Sequence, residues 1–289
     1  QLQWLQNSSP MKELLTHISY RLNKRYSSGE LEAIVATLCL DYLEIPQIKF
    51  YLKEKIELSP VCRQKLETAL IRLEKGEPLQ YVMGYTSFCG LRFKVDNSVL
   101  IPRPETAELV EWVLQTTKDE PSILDVGTGS GCIAVTLAKR LPGAKVDACD
   151  ISSDALNVAY ENSVVNGSKV LFHKRDILTD RNIDKKYDII VSNPPYITEI
   201  EKKDMDDTVL NYEPHTALFV NNPNPLLFYN AIADFGLQCL NSGGSIFFEI
   251  NPVYHNEMVS MLKERGYINV ELRQDIFNKN RMIKADIYG

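Results

Sequence analysis

Apolar residues follow three different rhythms along this chain, and each rhythm predicts a different kind of element. Up to about residue 76 the rhythm is helical. Leu31, Ile34, Val35, Leu38 and Tyr42 recur at the spacing of one helix face. Just before them Ser27 stands three residues ahead of Glu30, the spacing of a capping box in which two free backbone N–H groups are satisfied reciprocally. Ser59-Pro60 opens another helix, because a proline at the first helical position loses only an N–H that has no partner anyway. Val61, Leu66, Ala69, Leu70 and Leu73 form its expected apolar stripe. With a segment near 11–25, these predict a small all-helical domain over 1–76, ended by Gly76-Glu77-Pro78.

Over 77–103 the pattern changes. Tyr81, Val82, Phe88, Leu91, Phe93, Val95, Val99, Leu100 and Ile101 are broken by Gly84, Gly90 and Asp96-Asn97, which is hairpin chemistry and predicts a β-hairpin linker. From 104 to 289 short β-rich runs (122–126, 145–150, 169–172, 187–192 and 245–250) are separated by helical or longer connecting segments. Such alternation predicts an α/β domain with a mostly parallel sheet covered on both faces. The runs at 267–272 and 282–288 share a connection too short for a helical crossover, so the last strand is expected to run antiparallel.

Composition removes whole classes of function. With 289 residues, 44% hydrophobic and 24% charged, the chain has globular averages and room for two domains. Its six cysteines are scattered without a C-x-x-C pair or a histidine at zinc spacing, so they read as small buried hydrophobes in a reducing compartment. No metal site is expected, and His17, His173, His215 and His255 are assigned no chemistry. Trp112, on an amphipathic helix, reads as core. No leader pattern and no run near the ~18 apolar residues of a membrane span is present, so a cytoplasmic protein without a membrane role is expected. A net charge of −6 speaks against binding nucleic acid by phosphate neutralisation.

Two segments carry the chemistry. The first is the strand Ile123-Leu124-Asp125-Val126 running into Gly127-Thr128-Gly129-Ser130-Gly131, where glycines permit positive φ and a close approach of ligand to backbone. The spacing is neither the dinucleotide fingerprint nor a P-loop. Asp150 ends the next strand, where a carboxylate can accept from both hydroxyls of a ribose, and Asp176 follows the third, within reach of an adenine amine. The plainer reading of either aspartate alone is a helix cap or loop residue. Parallel strands bring their carboxyl ends to one edge, so turn and carboxylates converge on one crevice. This set resembles the Rossmann-like methyltransferases that use S-adenosylmethionine and release S-adenosylhomocysteine. That resemblance implies methionine contacts from Gly127, Thr128, Gly129, Ser130 and Gly131, ribose contacts from Asp150, and adenine contacts from Asp176 and Ile177.

The second segment is the buried run 188–192 ending in Asn193-Pro194-Pro195-Tyr196. Two prolines fix φ, remove two donors and stop the strand. An amide nitrogen is a poor nucleophile, so a site that methylates it should hold its N–H groups with acceptors and aim it at the methyl donor. The Asn193 side-chain oxygen and the Pro194 carbonyl can be those acceptors, and Tyr196 can stack on a planar target. Asn193 is therefore both a catalytic and a cofactor-side candidate. A Pro-Pro turn that merely ends the strand is the competing reading.

Asn-Pro-Pro-Tyr at this strand resembles amino-methyltransferases of adenine or cytosine in nucleic acid, and also protein glutamine methyltransferases. Gln80-Tyr81-x-x-Gly84, Phe88-x-Gly90, Val99-Leu100-Ile101-Pro102-Arg103-Pro104-Glu105-Thr106 and Glu213-Pro214-x-x-Ala217-Leu218 resemble the release factor glutamine methyltransferases of the HemK/PrmC family over nearly the whole chain. Ribosomal-protein glutamine methyltransferases share the tetrapeptide but usually depart at Pro-Arg-Pro-Glu-Thr. Ala107 departs from the family, many of whose members are acidic there. The resemblance implies methylation of the glutamine in the Gly-Gly-Gln loop of class-1 peptide chain release factors by a monomer that does not bind nucleic acid directly. A base-modifying enzyme would need a basic groove and base flipping, and a scaffold that had lost the chemistry would not need Asn-Pro-Pro-Tyr.

Overall fold

The computed structural model describes residues 11–289 apart from 118–119, 181, 183–184, 199 and 221–222. The chain divides into two compact units, with the boundary between Gly84 and Tyr85.

The first unit is helical: α1 (Met11–Leu22), α2 (Ser28–Thr37), α3 (Gln47–Leu52), α4 (Pro60–Glu74) and α5 (Leu79–Met83). The capping box forms at α2, where Glu30 accepts from the Ser27 N–H at 2.9 Å. At α4 the Ser59 hydroxyl accepts from the Cys62 N–H at 3.2 Å. Met11, Leu14, Ile18 and Leu22 of α1 meet Ile34 and Val35 of α2 and Leu66, Ala69, Leu70 and Leu73 of α4 in one core. Val61 departs from the expected stripe and is 74% exposed. Five residues at helical pitch leave it about 140° around α4 from Leu66. Residues 79–83 also differ from the expected β-structure. Pro78 stands at the N-cap of α5, and the Arg72 guanidinium donates to the Tyr81 carbonyl at 3.0 Å and the Val82 carbonyl at 3.3 Å. Tyr81 and Val82 are buried as one short helical turn, which Gly84 ends at φ +81°.

The second unit begins with the hairpin β1 (Tyr85–Phe88) and β2 (Leu91–Lys94), turned by Cys89 and Gly90, both at positive φ. Then follow α6 (Pro104–Thr116), β3 (Ser122–Val126), α7 (Cys132–Arg140), β4 (Lys145–Asp150), α8 (Ser153–Val165), β5 (Val170–Lys174) and β6 (Tyr187–Ser192). The chain continues through α9 (Asp207–Tyr212), α10 (His215–Leu218), α11 (Leu227–Cys239), β7 (Leu240–Glu249), α12 (His255–Glu264), β8 (Ile268–Gln274) and β9 (Asn280–Asp286). The seven-stranded sheet has the order β5-β4-β3-β6-β7-β9-β8. Strands β3 to β7 pair in parallel, and β9 lies antiparallel to both neighbours, as the short 275–279 connection requires. The fold is thus the expected α/β sheet with an antiparallel last strand.

Side chains alternate across this sheet. Ile189 and Val191 of β6 pack with Ile123 of β3 and with α6 and α7, whereas Ile190 packs on the opposite face with Leu124, α11 and α12. Trp112 is buried in the first of these cores, edge-on to Phe247 at 5.5 Å. Both faces being covered, polar groups that can serve a ligand are expected at the edge where the parallel strands end.

Candidate active site

Strand register assembles the site. Val126, the last residue of β3, pairs with Cys149 of β4 on one side and Ser192 of β6 on the other. The residues that follow each, Gly127, Asp150 and Asn193, are therefore neighbours at one edge. Asp150 itself pairs with Lys174 of β5, which brings Asp176 and Ile177 to the same edge. The Ser192 hydroxyl donates to the Val126 carbonyl at 2.6 Å and locks the two central strand ends together.

The glycine turn hangs from β4, since the N–H groups of Gly127 and Thr128 both donate to the Cys149 carbonyl, at 2.9 and 3.0 Å. Gly127, Gly129 and Gly131 have φ of +74°, +54° and +81°. For the first two a Cβ would meet nothing within 4 Å, so the backbone faces open space. At Gly131, which caps α7, a Cβ would lie 3.0 Å from that of Ala159, so this glycine serves packing of α7 on α8. Asp150 accepts from the Gly129 N–H and the Ser152 N–H, both at 2.9 Å. With the Ile151 N–H as a third donor, part of the carboxylate's acceptor capacity of about four sites stays available. Burial raises the Asp150 carboxyl pKa, and the N–H bonds from Ser152, Gly129 and Ile151 oppose that rise.

A cleft of about 360 Å³ opens here, within the roughly 300–1,000 Å³ range of cofactor pockets. Gly127, Thr128, Gly129, Ser130, Asp150, Asp176, Ile177, Asn193, Pro194 and Pro195 all line it. Gly131 and Tyr196 do not. The Tyr196 ring packs against the core on the α11 side, and its hydroxyl donates to Glu249 at 3.4 Å. Burial, reinforced by Glu249, pushes the phenol above its ordinary range.

Three groups without a role in the sequence reading shape this edge. Glu213, buried, accepts from the Arg103 guanidinium at 2.6 Å and from the Ile101 N–H at 3.2 Å, which joins the Pro102-Arg103-Pro104 stretch to Glu213-Pro214. Thr106, in the first turn of α6, accepts from Asn193 Nδ2 at 3.3 Å and donates to Glu249 at 2.6 Å. Glu249, at the end of β7, is 2% exposed, and burial pushes its carboxyl up to about 7 against the pull of Thr106 and Arg281. An acidic residue closing a buried strand is the signal that had marked Asp150, and it could have marked Glu249. Asp125, behind the turn, is likewise pushed up to about 7 by burial while accepting from Thr128 at 2.7 Å.

Among the described residues no helix is long and apolar enough to cross a membrane, and no cluster of three His, Cys, Asp or Glu could hold a metal. Residues 13–84 match the PrmC N-terminal domain and residues 105–211 the methyltransferase small domain. The chain is 43% identical to the release factor glutamine methyltransferase of Bacteroides thetaiotaomicron, over 96% of this chain and 100% of the relative. It is 38% identical to that of Flavobacterium psychrophilum, over 96% and 99%. A methyltransferase structure from Pyrococcus furiosus shares the fold at 16% identity, with a TM-score of 0.55 over 77% of this chain and all of the other. Matched end to end at this identity, the chain belongs to the release factor glutamine methyltransferase family.

Proposed function

We propose that this protein transfers a methyl group from S-adenosylmethionine to the side-chain amide nitrogen of the glutamine in the Gly-Gly-Gln motif of class-1 peptide chain release factors. Family membership supports the substrate class. The observation that carries the chemistry is the register that sets the Asn193 side chain beside the glycine turn in one cleft.

The residues present fit the cofactor. Gly127 and Gly129 leave free space where side chains would stand, Asp150 keeps acceptor capacity for a vicinal diol, and Ile177 offers an apolar wall to a purine. Bound there, the cofactor supplies an electrophilic sulfonium methyl. Asn193 Oδ1 and the Pro194 carbonyl accept the two N–H groups of the target amide, orient its nitrogen and disperse the positive charge it gains. Pro194 and Pro195 keep that carbonyl out of ladder bonding and hold the acceptors rigid. No general base is required, because the methylated amide nitrogen is acidic enough to lose a proton to water.

The test is incubation of the protein with methyl-labelled S-adenosylmethionine and, separately, a class-1 release factor, the same factor with its motif glutamine changed to alanine, a ribosomal protein fraction and duplex DNA. Label on the intact factor alone is expected. Label retained after loss of the glutamine, or found on ribosomal protein or DNA instead, overturns the assignment.

A further inference from the structure

Asn193 has two chemically opposite ends, an acceptor oxygen and a donor NH2, of nearly equal size. The reaction needs the oxygen toward the target amide, and a flip about the last side-chain bond would present a donor to another donor. Nothing in the tetrapeptide decides between the two. The prolines fix the backbone, not the amide plane.

The decision is made in the wall of the cleft, which Thr106 lines. Thr106 Oγ1 has one proton and two lone pairs. Its proton goes to Glu249 Oε2 at 2.6 Å, so toward Asn193, 3.3 Å away, only a lone pair remains. A lone pair there selects Nδ2 and leaves Oδ1 at the opposite end of the amide group. Glu249 is well placed to hold that polarity. An ionised carboxylate can only accept, the group is buried at the end of a central strand, and the Tyr229 hydroxyl anchors its backbone by donating to the Glu249 carbonyl at 3.0 Å. Its second oxygen, Oε1, accepts from Tyr196 at 3.4 Å, so the same carboxyl group touches the last residue of the tetrapeptide and, through threonine, the first.

We propose that Glu249 is a positioning residue of the methyl-transfer site, whose buried carboxyl group fixes, through the Thr106 hydroxyl, which end of the Asn193 amide faces the substrate. The proposal rests on the role assigned to Asn193 above. The ionisable groups facing Glu249 are Glu105 from α6, Cys132 from α7, Arg281 from β9, Tyr196 after β6 and Tyr229 from α11. Arg281 favours the ionised carboxyl and Glu105 opposes it. Glu249 lies outside the lining of the cleft and acts through Thr106, which lines it, so cofactor affinity is the readout that separates a set geometry from a direct contact.

The variants that isolate this relay are Thr106→Val, which keeps the shape and removes the hydroxyl, Thr106→Ser, which keeps the hydroxyl, and Asn193→Ala with and without Thr106→Val. Single-turnover methylation of a release factor is measured beside calorimetric S-adenosylmethionine binding and thermal unfolding. Thr106→Val is expected to slow the methyl-transfer step about 10- to 100-fold with cofactor affinity unchanged, since a misaimed acceptor costs on that order. Thr106→Ser is expected to restore most of the rate. In the Asn193→Ala background Thr106→Val should cost nothing further, because the relay acts through an amide already absent. A wild-type rate for Thr106→Val while Asn193→Ala is impaired overturns the relay and leaves the functional reading standing. A Thr106→Val penalty undiminished in the Asn193→Ala background, a failure of Thr106→Ser to rescue, or lost cofactor binding in Thr106→Val also overturns it. A wild-type rate for Asn193→Ala sinks the functional reading itself.

Discussion

In the helical unit, Arg21 of α1 is forked between two glutamates of α4, donating to Glu67 at 2.9 Å and to Glu74 at 2.8 Å, and Arg72 pairs with Glu77 beside the start of α5. These charges stay at the surface and pull in the stabilising direction: the Arg21 hydrogen bond holds the Glu74 carboxyl below its ordinary range. In the second unit, Asp125, Asp150 and Glu249 are drawn to the carboxyl edge of the sheet, and burial pushes all three the other way. A folded unit tolerates such groups only if the rest of its core outweighs them. The helical unit therefore places its charges where they help it fold, while the methyltransferase unit keeps carboxylates that oppose folding at the edge where its cleft opens.

The strongest way to break this comparison is to remove a group from the reactive edge and lose stability rather than rate. Asn193→Ala is expected to lower kcat by about 10²- to 10³-fold, the scale of deleting one preorganised hydrogen-bonding group. Cofactor affinity by calorimetry and the unfolding temperature should stay near wild type. Lost folding with an intact specific rate would make Asn193 a structural residue.

Glu249→Gln sharpens the contrast, because one substitution should move stability and rate in opposite directions. The buried carboxyl takes up its proton at about 7 in the fold and at about 4.5 when unfolded. Between those values the folded state binds more protons, so stability falls as pH rises through the window and is lowest above 7. The neutral amide carries no such penalty. At pH 8 Glu249→Gln is expected to be more stable than wild type by on the order of 3 kcal/mol, read as a higher unfolding temperature, and at pH 4.5 the two should converge. Its methyl-transfer rate should nonetheless fall, since an amide NH2 can donate to Thr106 and turn the relay around. A variant destabilised at pH 8 would show that this carboxyl holds the fold together.

Asp150→Ala is expected to weaken S-adenosylmethionine binding by about 10- to 100-fold, the range of hydrogen bonds to a charged group, with a smaller effect on kcat. Unchanged affinity would remove ribose recognition and return Asp150 to a turn residue that holds Gly129 and Ser152.

What could be read from the sequence separates along the same line. The glycine turn was legible because its chemistry is local: three glycines at the end of a buried strand imply positive φ, and that is what they adopt. Asp150 and Asn193 were legible because parallel register carries strand ends to one edge without any side-chain detail. Glu249 carries the same strand-end signal, but its link to Asn193 is not legible, since Thr106 lies 143 residues earlier and only packing of α6 against β7 brings the two together. Tyr196 shows the converse limit. Its ring could be placed near the edge, but whether it would face the cleft or the core depended on Glu249. In the helical unit, Val61 departs from the stripe because it stands in the first turn of α4, off the face that Leu66 shares with the core, and the five-residue turn at 79–83 is too short to fix a period and is held by Arg72 bonds to Tyr81 and Val82, nine and ten residues away.

The smallest expected effect tests the other half of the comparison. Glu74 has a folded pKa below its unfolded value, so its contribution is present above about 4.5 and disappears as pH falls through the folded value. The pair is partly exposed, its side chains 23% and 34% accessible, and solvent screening holds an ion pair of this kind to about 0.2–1 kcal/mol. Glu74→Gln should therefore lower stability slightly at pH 7 and progressively less as pH falls below 4.5, with the difference shrinking in high salt because the Debye length falls to about 3 Å at 1 M. Methylation rate at pH 7 should not change. A loss as large as that of a buried group, or a Glu74→Gln variant with impaired methyl transfer, would mean that the charges of the helical unit are not confined to holding that unit together.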